Sequence, residues 1–214
     1  MCRVLGVRAA SAFSITEQLK PFAHIAQTSR EFQGHGWGCA WLDGNRWRTY
    51  HNIKPVWEDD LGAFGETTLL LAHARSAFRD EGIVVENNMP FSDDTWQFIF
   101  NGELRGVRIK EEGRIGAEKI FNYIKRFEDR GKIQMLETGT RIINKRTRYV
   151  RAMNIIMSDG DNLLASSHFG EDPEYFQMHH ATIDDRKVIC SDPWPDTSGW
   201  DAIPNGATVE FQSP

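Results

Sequence analysis

Outside two stretches of helical spacing, most of this chain falls into short apolar runs that read as strands. The spacing predicts strands at Cys2–Val7, Gly38–Leu42, Arg46–Tyr50, Thr68–Ala72, Trp96–Phe100, Met153–Ser158, Asn162–His168, Lys187–Cys190 and Thr208–Gln212. Asp43-Gly44-Asn45 and Asp159-Gly160-Asp161 fall between apolar runs and predict hairpin turns. Two stretches show helical spacing instead. Thr16–Ser29 puts Leu19, Phe22, Ala23 and Ala26 on one side of a helix, and Pro21 predicts that this helix starts late or bends. Gly116–Arg130 repeats Ala117, Ile120, Ile124 and Phe127 at helical spacing, with Gly131 as the stop. Many antiparallel strands with a few amphipathic helices predict an α+β layered fold. No repeat, low-complexity tract or linker divides the sequence, so residues 1–214 read as a single domain.

Composition then narrows the functional classes. A net charge of -5 argues against a nucleic-acid binder, which normally carries a basic face. No apolar run can cross a bilayer, Leu69-Leu70-Leu71-Ala72 being the nearest, and the first residues lack the features of a signal peptide. Three scattered cysteines form neither a disulfide framework nor a metal knuckle, so the expected setting is the reducing cytoplasm. No metal or cofactor is expected. His179 and His180 would point apart on a strand, and Asp159-Gly160-Asp161-Asn162 lacks the glycine and glutamate of a calcium loop. Lys145-Arg146-Thr147-Arg148 reads as a solvated loop, and Cys39 and Cys190 as core residues.

The candidate chemistry begins at the N-terminus. Cysteine at position 2 is small enough for an aminopeptidase to remove Met1, leaving one residue with both a thiol and a free α-amine. The amine titrates near ~7.7–8.0 and the thiol near ~8.5, so the amine can take the thiol proton at neutral pH without a histidine. Alone, Cys2 reads more simply as a small apolar strand residue. His73-Ala74-Arg75-Ser76-Ala77-Phe78 follows an apolar strand and leaves Arg75 at its end, suited to a bidentate grip on a carboxylate. Asn101-Gly102 ends another predicted strand, where an amide side chain and a backbone N–H can donate to an oxyanion; an ordinary hairpin turn is the commoner role for this pair. Gly34-His35-Gly36-Trp37-Gly38 is a glycine-rich turn whose indole offers a pocket wall.

Taken in order, Met1-Cys2-Arg3-x-Leu5-Gly6, Gly36-Trp37-Gly38, His73-x-Arg75, Glu86-Asn87-Asn88-Met89-Pro90-Phe91 and Phe100-Asn101-Gly102-Glu103-Leu104 resemble the stand-alone class II glutamine amidotransferases. Ile189-Cys190-Ser191-Asp192-Pro193 with Trp200 and Pro204-Asn205-Gly206 is similar to the family's final motif. The resemblance spans residue 2 to about residue 211. It implies an N-terminal nucleophile (Ntn) hydrolase fold, a four-layer αββα sandwich of two antiparallel sheets flanked by helices. It also implies cleavage of glutamine through a γ-glutamyl thioester on Cys2 with release of ammonia. Asn101 and Gly102 would form the oxyanion hole, Arg75 would clamp the substrate α-carboxylate, and Ser76, Ala77 and Trp37 would contact the substrate.

Departures from the family pattern concern recognition. Phe78 stands where the family has a threonine, and Gly116 stands where it has the aspartate that binds the α-ammonium. Glu118, Glu111, Glu112 or Asp80 would have to substitute, or the substrate would be a γ-glutamyl amide other than free glutamine. The expected partner is thus a small glutamine-like molecule. A separate ammonia-accepting synthase and a homo-oligomer both fit the resemblance, as does a catalytically idle binding protein of the same fold. Retention of Met1 would silence the mechanism.

Overall fold

The computed structural model describes residues 1–93, 95–195 and 197–212. In chain order it contains β1 (Arg3–Ser14), α1 (Ile15–Gln27), β2 (Trp37–Asp43), β3 (Arg46–Asn52), β4 (Glu66–Ala74), β5 (Phe91–Ser92), β6 (Gln97–Val107), α2 (Gly116–Lys125), α3 (Lys132–Lys145), β7 (Thr147–Ser158), β8 (Leu163–Ser166), α4 (Pro173–Phe176), β9 (His179–Ile183), β10 (Arg186–Cys190), β11 (Asp201–Ala202) and β12 (Thr208–Phe211). The strands form a seven-stranded sheet, β11-β9-β10-β1-β4-β2-β3, and a five-stranded sheet, β12-β8-β7-β6-β5. Every pairing among the described residues is antiparallel.

Alternation along β1 and β4 decides what each sheet face touches. Leu5 and Val7 of β1, with Leu70 and Ala72 of β4, pack into a cluster with Leu19 and Phe22 of α1. Val4 and Leu71, one residue out of phase, pack instead against Ile99, Ile156 and Leu163 of the second sheet. Gly6 shares that inner face, where an added Cβ would lie 3.2 Å from the Ile156 side chain. The sheets therefore meet face to face. On the far side of the second sheet, Phe98 of β6 stacks on Phe121 of α2 with ring centroids 5.1 Å apart, and α3 packs on β7, β8 and β12. The result is the four-layer αββα sandwich, with α1 outside one sheet and α2 and α3 outside the other.

Two helices differ from their predicted outlines. α1 starts at Ile15, capped by Ser14 accepting from the Glu17 N–H, and runs through Pro21 without the late start. An interior proline costs about 3 kcal/mol. Burial of Ile15, Leu19, Phe22 and Ile25, at roughly 1.5–3 kcal/mol each, outweighs it. The predicted helix 116–130 ends as an α-helix at Lys125, and after a short 3-10 turn Gly131, with φ 90°, separates it from α3. α3 was not foreseen as a helix. Its buried face includes Gly139 and Thr140, which mute the apolar period. Gly139 is needed there because a Cβ would come within 2.8 Å of Ile124 on α2. No helix among the described residues is long and apolar enough to cross a membrane.

Candidate active site

The parity of the strands assembles the site. Cys2 precedes β1 in phase with Val4 and Gly6, so its side chain shares the inner face of the first sheet. Arg3 pairs with Ala74 in the β1–β4 register, which sets Cys2 against the turn that follows β4. There the Ser76 N–H points at Cys2 Sγ from 3.5 Å, and the thiol faces the Ser76 carbonyl at 3.7 Å. Burial pushes the Cys2 thiol up, while the N-terminal ammonium, the Ser76 N–H and Arg75 pull it down. A thiol in that balance needs a nearby base to ionise at neutral pH.

The turn itself is braced by the glycine-rich segment. The Arg75 N–H donates to the Gly36 carbonyl at 2.9 Å, the His35 N–H donates to the Arg75 carbonyl at 3.1 Å, and the Ala77 N–H donates to His35 Nδ1 at 2.8 Å. Gly36 has φ 104°, and a Cβ on it would run into the Asn88 amide. That is a position only glycine can fill. Trp37 follows, but its indole turns to the helix side of the sheet, fully buried, with its N–H on Asp59 at 2.8 Å. The indole of Trp37 thus faces away from Cys2 and does not offer the expected wall.

Arg75 is buried, and its guanidinium donates to the Gly82 carbonyl at 2.9 Å and to Asn88 Oδ1 at 3.4 Å. Among the described residues no carboxylate lies within ion-pair distance of it. Burial lowers its pKa. A desolvated cation held only by neutral oxygens is unusual, because such charges normally find a counter-ion.

Across the sandwich, Asn101 and Gly102 lie within β6 and not in the hairpin turn that the pair more often signals. Asn101 is fully buried, and neither side-chain polar atom has a partner among the described residues. A Cβ at Gly102 would sit 2.1 Å from the Ala152 carbonyl oxygen, so glycine is required by close approach. β5 pairs with β6 only at Gln97 and Phe98, which leaves the next stretch of that edge of β6 without a neighbouring strand. The Phe100 carbonyl faces His73 Nε2 at 3.2 Å, and strand alternation puts the Gly102 N–H on the same edge.

His73 is therefore a neutral Nε2–H donor tying β4 to β6. Complete burial, reinforced by Arg75, pushes its pKa down from 6.5 to about 3. Between those values the unfolded chain holds a proton that the folded chain refuses, so stability is full above pH 6.5 and falls as pH drops through that window. Acidifying from pH 6.5 to pH 4.5 is expected to remove roughly 2–3 kcal/mol through this residue alone. Urea unfolding of His73→Gln across those pH values should show a shallower loss than the parent. An identical slope would show that His73 does not titrate this way. Carboxylates with lowered values, such as Glu31 and Asp59, begin to lose their contribution as pH nears 4.5 and lose most of it below that.

Of the other expected contacts, Ser76 faces Cys2 and Ala77 follows it in the turn, while Glu118 is engaged by another residue. Its carboxylate is occupied by Arg114, at 2.6 Å from Nη2, and it lines a cavity of about 220 Å³ with His51, Glu86, Asn88 and Phe121. Glu111 is paired with Arg126 and Asp80 lies 3.5 Å from His35. At Gly116 no side chain is offered. Phe78, Ile83, Val84 and Val85 form an exposed apolar stretch beside the Arg75 turn. A larger cavity, about 370 Å³ and lined by Arg141, Ser167 and His168, lies beside α3 and does not include Cys2. Among the described residues no group of three or more histidine, cysteine or acidic side chains is placed to hold a metal.

Sequence reasoning missed the surroundings of Met1. Its ammonium is ion-paired with Glu31, and its carbonyl accepts from the Tyr175 hydroxyl at 2.7 Å and from Gln33 Nε2 at 2.5 Å. Partial burial raises Glu31, but the N-terminal ammonium and Arg151 together bring it below the usual carboxylate value. Arg3 stacks on the Tyr175 ring at 4.3 Å and reaches Asp192 at 3.1 Å, fastening the segment on which Cys2 sits. No local pattern marks Glu31, Gln33 or Tyr175; only the fold brings them together.

No family model matches the chain. It is 30% identical over 193 residues to a gamma-glutamyl-hercynylcysteine sulfoxide hydrolase from Mycolicibacterium smegmatis, covering 83% of this chain and 77% of that protein. Among solved structures, a glutamine aminotransferase class-II domain protein from Silicibacter pomeroyi matches with a TM-score of 0.68 at 16% identity, over 99% of this chain and 95% of the other. The glutamine phosphoribosylpyrophosphate amidotransferase of B. subtilis matches with a TM-score of 0.62 at 14% identity, over 89% of this chain and 42% of the other.

Proposed function

The chain belongs to the class II glutamine amidotransferase family of Ntn hydrolases, and from that premise we propose that it hydrolyses a γ-glutamyl amide through a thioester on Cys2. Its activity is that of an amide-bond hydrolase. The observation that carries the reading is the buried Arg75 guanidinium, without a carboxylate partner among the described residues, beside the thiol of Cys2. A substrate bearing a free carboxylate supplies the missing counter-ion.

In this reading the α-amine of processed Cys2 takes the thiol proton, and the thiolate attacks the γ-carbonyl carbon. Asn101 Nδ2 and the Gly102 N–H donate to the resulting oxyanion. Collapse breaks the C–N bond, and the leaving amine departs with the proton held on the α-amine. Water then cleaves the thioester, releasing a glutamate-type acid and the free thiol. No synthase is needed to complete the cycle.

A substituted γ-glutamyl amide is favoured over free glutamine on two grounds. Two of the positions expected to grip an α-ammonium cannot do so freely: Gly116 has no side chain and Glu118 is held by Arg114. The relative from Mycolicibacterium smegmatis is named a gamma-glutamyl-hercynylcysteine sulfoxide hydrolase, and the exposed apolar stretch at Phe78 and Ile83–Val85 offers the amine side of a substituted amide a surface. The test is a glutamate-release assay on chain beginning at Cys2, with glutamine and a series of γ-glutamyl amides of increasing size. The expected kcat/KM is at least ~10-fold higher for the bulky amides, as a few extra apolar contacts would give. Equal or better turnover of free glutamine would sink the substrate preference, and no glutamate from any of them would sink the activity.

A further inference from the structure

The N-terminal residue is held far more elaborately than a residue destined for removal requires. Glu31 pairs with the Met1 ammonium through one oxygen and accepts from Arg151 through the other at 2.9 Å. Tyr175 and Gln33 both donate to the Met1 carbonyl, and Gln33 Nε2 also lies 3.2 Å from the Tyr175 oxygen. Gln33 is fully buried, and its Oε1 has no partner among the described residues. Such an orphaned acceptor is costly.

Removing Met1 takes away one ammonium and one carbonyl, and creates an α-amine on Cys2 about 3.8 Å or less further along the chain. The groups left behind match the new one. Glu31 is left without its ammonium, Gln33 Oε1 is already without a donor, and the Tyr175 oxygen is released from the carbonyl. We propose that Glu31, Gln33 and Tyr175 form the receptor for the α-amine of processed Cys2, aiming its lone pair at Sγ while Glu31 faces the charge it acquires. When the S–H bond breaks, the proton passes to the amine nitrogen; the ammonium then stands against the Glu31 carboxylate, and its N–H groups are received by Gln33 Oε1 and the Tyr175 oxygen. These are positioning residues. The inference rests on Cys2 acting through its own amine.

The charge balance around that amine gives the proposal a signature. Glu31 faces it from the loop after α1, Tyr175 from α4, Arg3 (paired with Asp192) from β1 and Arg75 from the turn after β4. Behind Glu31 stands Arg151 of β7, within 3.7 Å of both Glu103 and Asp172. Removing the negative charge of Glu31 lowers the pKa of the amine and of the thiol together; removing the positive charge of Arg151 raises both.

The experiment uses full-length chain released by a protease so that it begins at Cys2, with intact mass as the check. Alkylation of Cys2 by iodoacetamide is followed against pH by peptide mass mapping. Cys39 and Cys190 serve as internal controls, because burial pushes both thiols up, that of Cys190 to about 12. Glu31→Gln is expected to move the acid limb of the profile down by about half to one pH unit, and Arg151→Gln to move it up. Hydrolysis of a γ-glutamyl amide by Glu31→Gln and by Tyr175→Phe is expected to fall in kcat by roughly tenfold, with KM little changed. Limbs that coincide with the parent in both charge variants overturn the proposal, and so do shifts of the same sign. Should Glu31→Gln not fold, the upward shift in Arg151→Gln decides alone. A parent chain that alkylates normally yet hydrolyses no γ-glutamyl amide instead refutes the proposed function, and the limb shifts still judge the receptor.

Discussion

Replacing Cys2 with alanine, in chain freed of Met1, is expected to lower γ-glutamyl amide hydrolysis by at least ~10⁴-fold, the scale on which removal of a covalent nucleophile acts. Cys2 is where the proposed chemistry needs it. Its sulfur faces a backbone N–H at 3.5 Å, Arg75 lies within electrostatic reach, and the first sheet holds it rigidly through Val4 and Arg3. Truncation to alanine removes one buried sulfur together with its long contacts to the Ser76 N–H and carbonyl, so stability should change by only about 1–2 kcal/mol. A mass shift equal to a γ-glutamyl group, trapped on the parent at low pH and absent from Cys2→Ala, would identify the thioester directly. A chain that keeps Met1 should be as silent as Cys2→Ala, because its nucleophile has a peptide nitrogen in place of the amine. Measurable turnover by either form, above the hydrolysis that binding and Asn101 alone support, would remove Cys2 from the mechanism.

How far the site was legible depends on the range over which each residue's role is set. The apolar runs revealed strands, while the division into two facing sheets was carried by the family resemblance, because a strand buried on two faces shows one apolar run for two different neighbours. On β1 these are α1 for Leu5 and the second sheet for Val4. The positions of Cys2 and Arg75 were legible too, each at the end of an apolar strand, where the chain leaves the core and a polar group can enter a cleft. Direction was harder to read. Trp37 belongs to a glycine-rich turn next to the site, yet its indole points to the helix side, and only the register with Ala74 decides that. Asn101-Gly102 looks like a turn because turns use that pair most. Here the glycine answers the Ala152 carbonyl, a contact with a strand some fifty residues later. α3 escaped because helix–helix contact at Ile124 demanded glycine on the face that the hydrophobic period requires to be large. Glu31, Gln33 and Tyr175 carry no local signal at all. A glutamate beside Arg30 reads as surface, and its role exists only once β1 brings Met1 beside it.

The second large effect concerns Arg75, and its sign differs between stability and catalysis. This guanidinium is buried against the Gly82 and Asn88 oxygens, and burial lowers its pKa, so the folded state carries a desolvation cost that no protein carboxylate among the described residues returns. Arg75→Ala gives up two hydrogen bonds of about 1 kcal/mol each but also that cost, and the thermal midpoint is expected to hold within a few degrees or rise. Catalysis should suffer instead. Losing one member of a buried carboxylate–guanidinium pair costs about 2–5 kcal/mol, which predicts a ~30- to 5000-fold fall in kcat/KM, carried mainly by KM. Arg75→Lys should recover little, because a point charge cannot replace the two-pronged grip. The decisive comparison pairs each enzyme with a γ-glutamyl amide and with its analogue lacking the α-carboxylate. Parent and Arg75→Ala should differ strongly on the first and converge on the second. If the variant loses the same factor on both, Arg75 serves the shape of the turn around Ser76 and not the substrate, and the counter-ion argument for a carboxylate-bearing substrate fails with it.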